Sequence, residues 1–206
     1  MCIRDRCWRG SNCGDYPIDI IVSKVYDQYP PILPPQSIKP LWHLCAPSRA
    51  RLTLWFAMLG KLKTGDLFVE KGIIDPQHAL CPFCRSEVES NSHILFTCHF
   101  SWGIWMRLLS WWGLQGVLHY DGVSFVLQWS GFLAGRKGKK LWSLCLGCVV
   151  WSLWFERNRC KFKGGTPDHI SFAHSLQLRI GVWAKELLGC STFSPHDVFC
   201  NVLIDR

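Results

Sequence analysis

Apolar residues recur at the helical interval from Ser48 onward. Leu52, Trp55, Phe56 and Leu59 fall at i, i+3, i+4 and i+7, one face of a helix that Ser48 can cap and Gly60 ends. Thr64 opens a second short helix through Leu67 and Phe68, stopped at Gly72. Ser92 caps a helix carrying His93, and the Trp-rich run FSWGIWMRLLSWWG continues helically to Gly113. From 114 to 135 the pattern breaks, with glycines at 116, 122, 131 and 135, and reads as a linker holding at most one short element. The run RKGKK then opens an apolar segment, LWSLCLGCVVWSLWF at 141–155, which ends in ERNRCKFKGG. That segment is shorter than the ~20 residues a helix needs to cross a bilayer. It reads as a buried helix, packed on the last one through Trp151 and Trp154. Thr166-Pro167-Asp168 starts that last helix, with Pro at its first position, and Gly189 follows its end near Leu188.

Ahead of the helices, residues 14–29 hold a short apolar stretch, and YPPILPPQSIKP follows as an extended, proline-rich lead-in. The first residues, MCIRDRCWRG, contain no apolar signal-peptide core. MCIRDR itself reads as a translated sequencing adapter, so the chain is expected to be a fragment of a longer protein. The expected organisation is 1–13 adapter-derived or disordered, 14–40 lead-in, 41–113 a metal-binding domain, 114–139 linker, 140–190 a helical segment and 191–206 a tail.

Composition narrows the class. An apolar fraction of 49% with 18% charged residues is enough for a packed core and excludes a disordered chain. Twelve tryptophans point to helix-packing anchors or stacking platforms. A net charge of +8 favours a polyanionic partner through steering and counterion release. Twelve cysteines without a secretory signal place the chain in an intracellular, reducing compartment, cytoplasm or nucleus.

Four residues carry chemistry. Cys81, Cys84, His93 and Cys98 follow the spacing Cys-x2-Cys-x8-His-x4-Cys. A CxxC turn grips one ion with two thiolates, and His93 and Cys98 reach the same ion if one starts a helical turn and the other ends it. Three sulfurs and one imidazole form the closed, tetrahedral set of a structural Zn2+ site, with no position open for water or substrate. His78 and His99 are spare ligand candidates. A second pair, Cys145 and Cys148, lies within the apolar run without a His or Cys partner nearby and reads as helix packing. The predicted fold is therefore mainly α: a small zinc-pinned helical module followed by a helical segment of two longer helices.

Basic residues bracket both parts. Arg49, Arg51, Lys61 and Lys63 flank the first helix, where Trp55 and Phe56 read either as core or as a stacking surface for RNA or single-stranded DNA. Arg136, Lys137, Lys139, Lys140 and Arg157 bracket the apolar run, as phosphate contacts or as solvated helix ends. No Tyr-x-Asp-Asp signature is present, and Asp66, Asp75, Asp121 and Asp168 are scattered at turns and caps. Phosphoryl transfer needs converging carboxylates to hold its metal ions, so no enzyme is expected in this chain.

LWHLCAPSRARLTLWFAMLGKLKTGDLFVEKGI, with Trp42, Pro47 and Trp55, then CPFCRSEVESNSHILFTCHFSWGIW, with Glu87, Glu89 and Trp105, resemble the zinc-binding domain that follows the reverse transcriptase domain in plant LINE-type (non-LTR) retrotransposons. WSLWFERNRCKF, with Trp154, Arg157, Asn158 and Phe162, is similar to the helical segment downstream of it. That family usually places an acidic residue two or three positions before the His, whereas Ser90, Asn91 and Ser92 intervene in this chain. The resemblance implies one structural zinc ion, RNA or DNA as partner, the reverse transcriptase domain of the same polyprotein as neighbour, and no membrane.

Overall fold

Where the helical period begins, the chain forms α1 (Ser48–Met58). The computed structural model describes residues 44–114, 119, 122–131 and 136–189, all within one unit spanning Gln36–Arg206. Pro47 is the N-cap of α1, and Ser48 is its first helical residue. The buried face is Ala50, Thr53, Leu54, Trp55 and Met58, rotated from the expected stripe, so that Leu52 and Phe56 stand at the solvent side. The small residues decide this rotation. Ala46 and Ala50 let α1 approach a later helix at Gly147, where an added Cβ would lie 2.7 Å from the Ala46 methyl.

After α1, Gly60 turns the chain with φ +62, and α2 (Gly65–Glu70) follows. A 3-10 turn at Pro76–His78 leads into a hairpin marked by one antiparallel bridge, Leu80 to Val88. A π-helical turn, His93–Thr97, runs into α3 (His99–Trp111). The remaining helices are α4 (Gly122–Gly131), α5 (Arg136–Lys163) and α6 (His169–Leu188). The fold is mainly α, and among the described residues no helix is long and apolar enough to cross a membrane.

The long helix α5 is central. α1, the π turn, α4 and α6 all pack against it, which is why its run Leu144–Val150 is buried on every side. Cys145 and Cys148 belong to this packed run. Burial pushes both thiols up, Cys148 to about 12, so they act as small apolar residues. α6 is capped as its sequence demands at one end: Gly189 adopts φ +68 after Leu188. At the other end Asp168, not Pro167, adjoins the helix, because its Oδ2 accepts the Ser171 amide at 2.7 Å.

The segment expected as linker is partly core. Gly122 and Gly131 are the ends of α4, and Phe125 and Trp129 between them are fully buried. Their rings join Phe96, Trp105 and Trp142 in one aromatic cluster. The zinc-ligand region and the C-terminal helices thus share a hydrophobic core.

Candidate metal centre

The CxxC segment forms the turn of the hairpin, closed by the Leu80–Val88 bridge. The Cys81 amide donates to the Glu87 carbonyl at 2.8 Å, and the Arg85 amide to the Cys81 carbonyl at 2.9 Å. Closing this loop puts Arg85 in the left-handed region, φ 57. That is a costly conformation for a side chain with a Cβ, held by the bonds around it.

His93 and Cys98 come together through the π turn. In an α-helix, residues five apart are rotated by roughly 140°, which would aim their side chains away from one another. Here the Cys98 amide donates to the His93 carbonyl at 2.8 Å, an i to i+5 bond that widens the turn and returns the two to one side. Ser101 Oγ and Trp105 Nε1 then tie α3 to the turn by donating to the Ile94 and Leu95 carbonyls at 2.6 and 2.8 Å.

The four donor atoms lie within 4.8 Å of one another, with Cys81, His93 and Cys98 buried and Cys84 half-buried. Cys81 Sγ is 3.8 Å from Cys98 Sγ, and Cys84 Sγ is 3.3 Å from His93 Nε2. Sulfurs bound at about 2.3 Å around a tetrahedral zinc stand about 3.8 Å apart, so the donor set fits that ion. Glu87 completes it: its Oε2 lies 3.2 Å from His93 Nδ1, which leaves Nε2 for the metal. The intervening Ser90–Ser92 residues therefore do not separate the acid from the His, because the hairpin folds Glu87 back onto the ring.

The donors titrate as a set. A hydrogen bond to Cys98, and then burial, pushes Cys81 up to about 12. Cys98 is lowered by the same bond, against burial. His93 is pushed up to about 9, first by its hydrogen bond to Cys81, with burial opposing. For Cys84 burial acts upward, but hydrogen bonds from Ser86, Glu87 and His93 together bring it down. The shifts thus run in opposite directions within the set, Cys84 and Cys98 lowered, Cys81 and His93 raised. A divalent cation displaces protons from such donors.

The other expected site residues fall elsewhere. His78 and His99 are exposed and outside the donor group. The His78 carbonyl accepts from Lys161 Nζ at 3.2 Å, while the His99 ring meets His169 edge-on at 6.1 Å. Arg49, Lys61, Lys63, Lys139 and Lys140 are solvent-exposed. Arg51 is half-buried and donates to Ser48 Oγ at 3.2 Å. Arg136 and Lys137 lie in the first turn of α5, and their side chains are outside the described residues. Arg51 and Lys140 both act on the Cys45 thiol at the start of α1, whereas the Lys63 carbonyl meets Arg157 beyond its end. Trp55 is core, and Phe56 only borders solvent.

Arg157 is not a phosphate contact. It is 2% exposed, and its guanidinium donates to both carboxylate oxygens of the fully buried Glu89. It also donates to the Lys63 carbonyl at 2.9 Å and to Asn158 Oδ1 at 2.9 Å. Four of its five N–H groups are engaged in this way. Glu89, a partner that no local pattern singles out, accepts additionally from the Gly65 amide at 3.0 Å.

Fold and site together define a class: a helical domain organised around a closed Cys3His set compatible with a zinc ion. Residues 22–105 match the family described as zinc-binding in reverse transcriptase. Comparison with curated proteins and with solved structures gives no match.

Proposed function

We propose that this chain is the structural-zinc part of a retrotransposon reverse transcriptase polyprotein, of the plant LINE type, and that it helps the polymerase hold template RNA or target DNA. The observation that carries this reading is the donor set. Its four ligands are closed around one position and mostly buried, so the ion builds structure and leaves no site for substrate. The chain has no catalytic role of its own in this reading, and works inside the cell, where its thiols stay reduced. Exposed Arg49, Lys61, Lys63, Lys139 and Lys140, with a net charge of +8, supply the electrostatic attraction. A mobility-shift titration with RNA and with DNA tests it. Binding should weaken steeply with salt and fall in the Lys61→Glu, Lys63→Glu double variant. No binding at the lowest salt used would remove this reading.

A second reading is a scaffold that docks on the neighbouring polymerase domain. It is favoured by α6, where Ile170, Leu178 and Val182 follow one helical stripe and are all exposed. Capture of the polymerase domain that is insensitive to added RNA, and lost in Leu178→Lys, would support it.

A further inference from the structure

Glu89 stands between the two halves of the donor set, five residues after Cys84 and four before His93. Its backbone is fixed on both sides. The Glu89 amide donates to the Ala79 carbonyl at 2.8 Å, and its carbonyl accepts the Asp66 amide at 2.9 Å. Its side chain, completely shielded from solvent, meets a guanidinium from sequence position 157, well outside the span 22–105 that matches the metal-binding family. Arg157 reaches this point from the last third of α5, with Trp154 beneath its guanidinium at 4.8 Å. The pair therefore joins the ligand hairpin, the turn at Lys63–Gly65 and α5 at one buried node.

Buried ion pairs of this kind are conditional. Each charge is tolerable only while the other is in place with its remaining hydrogen bonds satisfied. Glu89 is held in place by a hairpin whose turn carries Cys81 and Cys84 and which leads directly into the π turn carrying His93. If the hairpin loosens, Arg157 loses its acceptor inside the core. If α5 moves away, Glu89 is left as a buried carboxylate beside the metal ligands.

We propose that the Glu89–Arg157 pair couples metal loading of the hairpin to docking of the helix pair α5–α6, so that the zinc-dependent unit extends beyond the family span to the end of α6. This goes beyond the functional reading above and does not depend on it, since it concerns neither nucleic acid nor the polymerase.

Hydrogen exchange on the full chain, followed by mass spectrometry with zinc bound and after chelation, tests it. In the native chain, chelation should raise exchange about tenfold or more in peptides from 154–188 as well as in 78–100. In Glu89→Leu, Arg157→Met, where both charges are replaced by apolar groups, the hairpin should still respond and 154–188 should change less than about twofold. Arg157→Met alone, which strands the carboxylate, should weaken zinc retention against a chelator by about tenfold or more. An unchanged 154–188 in the native chain overturns the proposal. So does full transmission in the double variant, which would assign the coupling to apolar packing. If neither variant folds with zinc, the native-chain comparison decides alone.

Discussion

The indole rings of Trp129 and Trp142 lie 3.8 Å apart between centroids and 3° from parallel. Aromatic pairs ordinarily prefer an offset or an edge-to-face arrangement. Here the stack is held by reciprocal hydrogen bonds, the Trp129 Nε1 donating to the Trp142 carbonyl at 3.0 Å and the Trp142 Nε1 to the Trp129 carbonyl at 2.6 Å. The pair locks α4 onto α5. Trp129→Ala should destabilise the folded chain by about 3–5 kcal/mol. Trp129→Phe, which keeps most of the apolar area and loses one hydrogen bond, should cost about 0.5–1.5 kcal/mol. Urea unfolding of the zinc-bound protein measures both.

The donor set predicts about one zinc per chain. Cys98→Ser should lose the ion and loosen the π turn with α3, as read by elemental analysis and by proteolysis around 78–112. The direction of the pH dependence follows from the titration of the donors. His93 stays protonated up to about 9 and Cys81 up to about 12, so binding at neutral pH must displace their protons. Apparent zinc affinity should therefore rise as pH rises through neutrality, measured by competition with a chromophoric chelator. A flat profile would show that these two groups are not ligands.

Glu87 should tune the metal without being a ligand. Its carboxylate fixes the His93 tautomer through Nδ1. Glu87→Gln should weaken zinc affinity by about 10-fold, the low end of the range for such partners because this carboxylate is largely exposed. Stoichiometry should stay unchanged, and the same competition assay separates the two.

Gly65 is demanded by space. A Cβ there would lie 2.7 Å from the Ala79 carbonyl oxygen, a backbone atom that cannot swing aside. Gly65→Ala should push α2 off the hairpin, disturb the amide that Glu89 accepts, and cost about 1–3 kcal/mol. Thermal unfolding with zinc bound checks it, and a neutral result would mean that α2 is free to shift.

At α6 the Asp168 carboxylate is held below its ordinary range by hydrogen bonds from Ser171. Asp168→Ala should fray the first turn, while Asp168→Asn, which still offers an oxygen, should preserve it. Faster exchange of the Ser171 amide in the alanine variant alone is the expected outcome.

Legibility in the sequence depended on distance along the chain. The ligands Cys81, Cys84, His93 and Cys98 are local enough for spacing to name them, and the period around Leu52–Leu59 located α1. The end of α6 was marked by Gly189, because only a residue without a Cβ readily takes the left-handed turn there. Misreadings came where local signals compete. Gly122 and Gly131 looked like breakers and are helix ends, and the stripe through Leu52 and Phe56 was overruled by the close approach of Ala46 and Gly147.

The sequence by itself determined the donor chemistry, the helical class and the basic charge, since these follow from residue type and short-range period. Only the tertiary structure decided what Arg157 does. A basic residue after an apolar run reads as a solvated end until its partner is known, and that partner, Glu89, lies 68 residues away. The widened turn at His93–Thr97 was likewise decided by packing and ligand geometry, because π and α turns differ by one hydrogen bond and leave no separate imprint on the pattern of apolar residues.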